Sequence, residues 1–373
     1  MTNYHRIVIK IGTSTLTGGG KNLNLPRVTA LAQQISVLMD QGRQVVLVSS
    51  GAIAVGRERL GNPDLPKTIP GKQMLAAVGQ PRLMAVYEQL FGIFGRNVAQ
   101  ILLTREDISD RKRYLNARGT LEALLDQGVV PIINENDTVA TDEIRIGDND
   151  NLSALVANLI EADLLVLLTD QAGLYTADPN KDQDARMIEF IDTTEISESV
   201  WKVAGGSRTK LGTGGMLTKL QAAETARRSG TLVVIAKGDM PDVLIHLAEG
   251  AHIGTHILPV VDKLESRKRF MLAGARPRAA IRVDSGAVKA LLAGGSLLPV
   301  GVTASQGQFE RGDIVKIKDS DGKDIAIGLM NYAAADLQKI KGRQSKEIED
   351  LLGYAYSDEV IHHNNMTILA GKK

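Results

Sequence analysis

The chain has 373 residues and a formal net charge of +1, from 44 Lys and Arg against 43 Asp and Glu. Hydrophobic residues at 43% and charged residues at 23% exclude disordered and fibrous classes, and the balanced charge offers no basic field to nucleic acid or an anionic membrane. Cysteine is absent, which removes disulfides, thiolate metal sites and cysteine nucleophiles together. Aromatics are only 3% against 37 glycines, so the core must be aliphatic and the turns glycine-rich.

The first apolar run, Ile7–Ile11, is too short for a signal-peptide core. No uncharged apolar stretch approaches the roughly 20 residues of a membrane span. A soluble, cytoplasmic protein with no membrane contact is expected. Ile7–Ile11 reads as a strand ending in Lys10-Ile11-Gly12-Thr13-Ser14, with Gly18-Gly19-Gly20 soon after. A lysine at the carboxyl end of a strand, entering a glycine-rich loop, is placed to meet an anion; an ordinary turn with the lysine in solvent is the alternative. Val28, Leu31, Ala32, Ile35, Leu38 and Met39 then repeat at helical spacing between Pro26 and Gly42. A second strand, Val45–Val48, runs into Ser49-Ser50-Gly51-Ala52, where a ligand can approach the backbone closely or a serine can cap the next helix.

Helices are expected around Lys72–Phe91, Lys112–Asp126, Asn151–Glu161 and Leu217–Ser229, and strands at Val98–Leu103, Val129–Ile133, Leu164–Leu168 and Leu232–Ile235. The near-continuous apolar character of these runs predicts strands covered on both faces. Alternation of strand and helix over about 250 residues predicts an α/β three-layer sandwich around a mainly parallel central sheet. The densest polar segment follows the fourth strand: Asn134-Glu135-Asn136-Asp137, Thr138–Arg145, then Gly147-Asp148-Asn149-Asp150-Asn151. Such groups cannot form core. A solvated acidic hairpin is one reading; the other is that the two clusters, which bracket a short strand expected at Glu143–Ile146, converge on one site whose carboxylates and amides suit a zwitterion with an ammonium group.

The fifth strand ends in Leu168-Thr169-Asp170. Farther on, Gly212-Thr213-Gly214-Gly215-Met216 opens a helix that carries Lys219, a phosphate cradle in the general sense although neither G-x-x-x-x-G-K-[ST] nor G-x-G-x-x-G occurs there. All six histidines fall outside these segments, so the reaction is expected to need no strong base. After the charged run Lys263–Arg269 and Gly274-Ala275-Arg276-Pro277, the texture changes. Ile314, Val315 and Ile317 lead into Asp321-Gly322, and Ile325, Ile327 and Leu329 return as a hairpin strand. The expected organisation is a catalytic domain at 1–259, a linker at 260–277, a small mostly-β domain at 278–356 and a tail at 357–373.

Taken in order, Lys10–Ser14, Ser49–Ala52, Ile133–Asp137, Gly147–Asn151, Leu168–Asp170 and Gly212–Met216 resemble the amino acid kinase family, and the C-terminal part is similar to a PUA domain. The resemblance implies transfer of the ATP γ-phosphoryl group to the γ-carboxylate of L-glutamate, the first step of proline biosynthesis, with Mg²⁺ on the phosphates and its direct protein ligands unassigned. It implies that Lys10 and Lys219 flank the phosphoryl group and that Asp150 orients the lysines. Ser50, Gly51, Asn134, Asp137, Asp148 and Asn149 match glutamate-binding positions. Lys10, Thr169, Asp170 and Thr213, Gly214, Gly215, Met216, Leu217, Thr218 and Lys219 match ATP-binding ones. It further implies proline as inhibitor, channelling to glutamate-5-semialdehyde dehydrogenase, and a homo-oligomer, dimer or tetramer. A family member acting on aspartate, carbamate or a nucleoside monophosphate is the nearest rival. RNA binding is not expected, because residues 278–373 hold 13 Lys and Arg against 12 Asp and Glu.

Overall fold

The computed structural model describes residues 4–64, 68–140, 149–179, 181–205, 215–260 and 277–369. They form two compact units, Met1–Ser109 with Ala117–Asp262, and Asp110–Asn116 with Lys263–Lys373.

In the first unit the strands are β1 Arg6–Ile11, β2 Gln44–Ser49, β3 Val98–Leu103, β4 Val130–Glu135, β5 Leu164–Thr169, the short β6 Leu174–Tyr175, β7 Met187–Ile188 and β8 Phe190–Ile191, then β9 Leu232–Lys237 and β10 Thr255–Ile257. Eight of them make one sheet in the order β3-β4-β2-β1-β5-β9-β10-β8, and β6 pairs with β7. The pairs from β3 across to β9 are all parallel; β10 runs antiparallel to β9. Strands buried on both faces read as unbroken aliphatic runs, and β4 and β5 are buried at all six positions. Val98–Leu103 departs from that expectation. As an edge strand paired only with β4, it leaves Gln100 and Leu102 exposed.

The helix Leu25–Asp40 starts on Asn24, whose side chain accepts from the Arg27 N–H, with Pro26 in the first turn. It buries Val28, Leu31, Ile35 and Leu38 on the sheet. The helix Ile69–Gly92 starts on Thr68, which accepts from the Gly71 N–H. Its Gly79 lies against the helix Ala52–Arg59 so closely that a Cβ there would fall 1.8 Å from the Ala52 carbonyl oxygen, so only glycine permits this approach.

Because the central strands are parallel, the ends of β1, β2, β4, β5 and β9 share one edge of the sheet. Chain order reverses at β1, with β2 on one side and β5 on the other. That is where open α/β sheets hold ligands.

The second unit is a five-stranded sheet in the order β12-β11-β13-β14-β15, from β11 Ala280–Val283, β12 Val302–Gln306, β13 Ile314–Lys318, β14 Asp324–Leu329 and β15 Met366–Ile368. The expected hairpin is the antiparallel pair β13 and β14. The stretch read as a tail at 357–373 is corrected by β15, which pairs with β14, and by Ile361, which is fully buried in this unit's core. Asp110–Asn116 belongs to this unit through Leu115, which packs with Ile314, Ile327 and Leu329. The strand expected at Glu143–Ile146 and nearly all of the linker lie outside the described residues.

Candidate active site

Three charges meet at the ends of β1 and two helices. Lys10 is the penultimate residue of β1, Asp150 is the first residue of the helix Asp150–Leu159, and Lys219 lies one turn into the helix Met216–Arg227. The Lys10 Nζ stands 2.5 Å from Asp150 Oδ1, and the Lys219 Nζ stands 3.1 Å from Asp150 Oδ2. Thr218 Oγ1 donates to the same Oδ2 at 2.8 Å. Asp150 is fully buried and Lys10 and Lys219 nearly so. Two ammonium groups on one carboxylate leave the cluster one positive charge in excess, away from bulk water, where an anion is attracted strongly. Oδ1 and Oδ2 of Asp150 are both engaged by this cluster.

Beside the cluster opens a cavity of about 620 Å³, lined by Ser50, Gly51, Asn134, Asp137 and Asn149 among others. These residues come from the ends of β2 and β4 and the start of the Asp150 helix. Gly51 takes φ 97° at the cap of the helix Ala52–Arg59, a conformation that favours glycine, so the cap is a glycine and not a serine. An amide network sets the wall. Asn149 Nδ2 donates to Asn134 Oδ1 at 2.6 Å and also to the Ser49 carbonyl. The Glu135 N–H donates to Asn134 Oδ1 at 3.0 Å, and Asn134 Nδ2 donates to Gln80 Oε1 at 2.8 Å. Behind Ser50, Ser49 Oγ donates to the Ser50 carbonyl at 3.0 Å and stands 2.8 Å from the Tyr87 hydroxyl. Burial holds that hydroxyl firmly protonated.

Asp137 is half-buried. Its carboxyl pKa is pushed up to about 6 by burial, against a downward pull from the Lys72 charge. A carboxylate in this state gains from a cation brought by a ligand.

On the other side, Thr169 ends β5, with its hydroxyl donating to Asp170 at 3.0 Å. Gly215, at φ 96°, caps the helix Met216–Arg227, in which Leu217 and Thr218 are buried. A cleft of about 210 Å³ is lined by Leu174, Tyr175, Pro179, Val200 and Met216 together with the polar Gln171 and Asp178, a mixed slot that offers a flat ring both apolar contact and hydrogen-bond partners. The charged cluster is joined to both hollows: Asn149 precedes Asp150, and Met216 opens the helix that carries Lys219.

Of the residues expected from sequence, Lys10, Asp150 and Lys219 are brought together, and Ser50, Gly51, Asn134, Asp137 and Asn149 share one cavity. Asp148, Thr213 and Gly214 lie outside the described residues. Gln80, Tyr87 and the cavity-lining Arg57 escaped the sequence reading. Gln80 and Tyr87 sit inside a long helix, far from any glycine-rich strand end, whereas Arg57 lies less than two turns beyond the Ser49–Ala52 motif in the helix that motif opens. Among the described residues no helix is long and apolar enough to cross a membrane.

The amino acid kinase family profile matches residues 5–237 and that of the PUA domain matches 279–352. The chain is 53% identical to the glutamate 5-kinase of Shewanella amazonensis over 98% of its own length and 96% of that protein's. It is 53% identical to the glutamate 5-kinase of Herpetosiphon aurantiacus, covering 97% and 98% of the two chains. Among solved structures it is similar to the UMP kinase of Bacillus anthracis, at 17% identity and a TM-score of 0.48, over 69% of this chain and 97% of that one. The chain belongs to the amino acid kinase family, with a PUA domain on its C-terminal side.

Proposed function

We propose that this protein transfers the γ-phosphoryl group of ATP to the γ-carboxylate of L-glutamate, giving L-glutamyl 5-phosphate for proline biosynthesis. The observation that carries the reading is the Lys10–Asp150–Lys219 cluster, joined to the Ser50–Asn149 cavity on one side and the Leu174–Met216 cleft on the other. It is supported by the name glutamate 5-kinase of relatives that match nearly the full chain.

The chemistry suits the residues. A glutamate side chain has a pKa of about 4.3, so the acceptor is ionised at neutral pH and requires no general base. One carboxylate oxygen forms a bond to the γ-phosphorus while the bond from phosphorus to the ADP oxygen breaks, and the electron pair leaves with ADP. Catalysis is then alignment of two anions and neutralisation of the charge on the group in transit. Lys10 and Lys219 would donate to its oxygens, and Asp150 would hold both lysines in place. Asp137 and the Asn149 carbonyl would take the α-ammonium of glutamate, with Ser50 and Gly51 beside it. Thr169, Asp170 and the segment to Lys219 would hold the nucleotide, with adenine in the Leu174–Tyr175–Met216 cleft.

Magnesium fits as a companion of the nucleotide: Asp150 is engaged by lysines and threonine, so the cation would take phosphate and water oxygens, as Mg²⁺ commonly does. When bound it supplies neutralisation of phosphate charge. The test is an acceptor panel with ATP, Mg²⁺ and hydroxylamine, which traps an acyl phosphate as the hydroxamate. Glutamate should be the preferred acceptor. Equal or better turnover of aspartate, or phosphorylation of UMP in a parallel assay, would sink the assignment.

A further inference from the structure

We infer that Gln80 is a positioning residue that makes the cavity selective for a free ammonium group, an inference that rests on the function proposed above. The orientation of each amide follows from two backbone groups that cannot change roles. The Glu135 N–H is a donor, so the Asn134 atom facing it is the oxygen Oδ1. The Ser49 carbonyl is an acceptor, so the Asn149 atom facing it is the nitrogen Nδ2. That same nitrogen also reaches Asn134 Oδ1, which commits both N–H groups of Asn149 to the protein. What Asn149 has left for the cavity is its oxygen. Asn134 Nδ2 must then find an acceptor, and Gln80 Oε1 supplies it at 2.8 Å.

Gln80 therefore fastens the far end of a chain that runs from β4 to the ligand wall. Its own Nε2 makes no hydrogen bond among the described residues, so the oxygen is its contribution. The helix brings a second glutamine to bear two turns earlier. Gln73 Nε2 donates to the Ala140 carbonyl at 3.2 Å and the Thr138 carbonyl at 3.4 Å, bracing the loop that carries Asp137. Residues seven apart share a helix face, so Gln73 and Gln80 are presented together toward the Asp137 and Asn134 side. Both acceptors for a ligand cation, Asp137 and the Asn149 oxygen, are thus supported by one helix. A donor-bearing ammonium gains two partners here, whereas a dicarboxylate without the amine gains neither.

The experiment compares Gln80→Met, which keeps length and removes the acceptor, with Gln80→Glu, which keeps an acceptor oxygen whether ionised or protonated. Gln80→Ala repeats the break with less bulk, should Gln80→Met not fold. Steady-state kinetics use glutamate and ATP, with glutarate, the same dicarboxylate lacking the amine, as competitive inhibitor. Gln80→Met should raise the glutamate KM about five- to tenfold, the worth of one lost buried hydrogen bond. It should leave kcat and the ATP KM within about twofold, and the glutarate inhibition constant in place, with Gln80→Glu recovering most of the loss. Equal shifts for glutamate and glutarate, or no shift for either, would overturn the inference. Wild-type protein that fails to phosphorylate glutamate would instead overturn the underlying reading and this inference with it.

Discussion

Replacing Asp137 with asparagine should stabilise the protein while weakening its hold on glutamate. Burial raises the carboxyl from the ordinary 3.8 to about 6, so the folded state resists the ionised form. A carboxyl with a raised folded pKa imposes no cost when protonated, below 3.8, and its full cost above about 6. The gap corresponds to about 3 kcal/mol, and because Asp137 is only half-buried, solvent screening reduces this to about 1–2 kcal/mol. Asparagine carries no charge and should recover that amount at neutral pH and almost none in acid. Urea denaturation of both proteins at about pH 7.5 and about pH 3.5 reads this directly, the variant being more stable at the higher pH and the two converging at the lower. On the proposed binding mode the same substitution would remove a charge-assisted partner of the ammonium, worth about 1.5–3 kcal/mol, so the glutamate KM should rise about 10- to 100-fold with the ATP KM little changed. A variant no more stable than wild type at neutral pH would refute the burial argument. One that keeps the wild-type glutamate KM would refute the assignment of Asp137 to the ammonium.

Three further outcomes follow from the same geometry. Lys10→Ala and Lys219→Ala should each lower kcat about 10²- to 10³-fold with modest change in glutamate KM, since each removes a donor to charge in transit; near-wild-type kcat in both excludes the pair from catalysis. The kcat/KM for glutamate should fall as pH drops through about 6 and Asp137 takes up its proton, while kcat/KM for ATP shows no such limb. Proline, which carries an α-ammonium and α-carboxylate like glutamate, should inhibit competitively; an inhibition constant independent of glutamate concentration would point to a separate site.

The central sheet was legible because strands covered on both faces leave nothing but aliphatic side chains to read. The misplaced ends are informative. Val45–Val48, Val129–Ile133 and Leu164–Leu168 stop where apolar character stops, yet the strands continue through Ser49, Glu135 and Thr169. Those polar residues are the rim of the site, so hydrophobic patterning ends where the functional edge begins. The short strands Phe190–Ile191 and Thr255–Ile257 are too brief to carry a period, and Met366–Ile368 is stabilised by pairing with β14 rather than by its own pattern. The strand-end motifs pointed to Lys10, Asp150 and Lys219 because glycine and charge cluster there. Gln80 and Tyr87 were hidden for the opposite reason. A glutamine or tyrosine within a long helix that has no strongly polar or apolar face looks like ordinary surface or core until tertiary packing shows which group it faces.

The buried triad separates stability from catalysis in a way that single substitutions can expose. Asp150 is wholly out of solvent, and the side chains of Lys10 and Lys219 are 3% and 10% exposed. Taking one lysine away leaves a neutral ion pair, a tolerable buried arrangement; taking the carboxylate away leaves two ammonium groups facing each other with no counter-charge. Breaking a buried ion pair so that charge is left uncompensated costs about 3–5 kcal/mol. Lys10→Met should therefore fold with nearly wild-type urea midpoint and be catalytically crippled, whereas Asp150→Asn should be crippled and substantially less stable. The asymmetry is the informative result, because either variant alone would look like a generic active-site lesion. If Asp150→Asn were as stable as Lys10→Met, the lysines would have to hold their charges apart without the carboxylate, and the role assigned to Asp150 as their common counter-ion would fall.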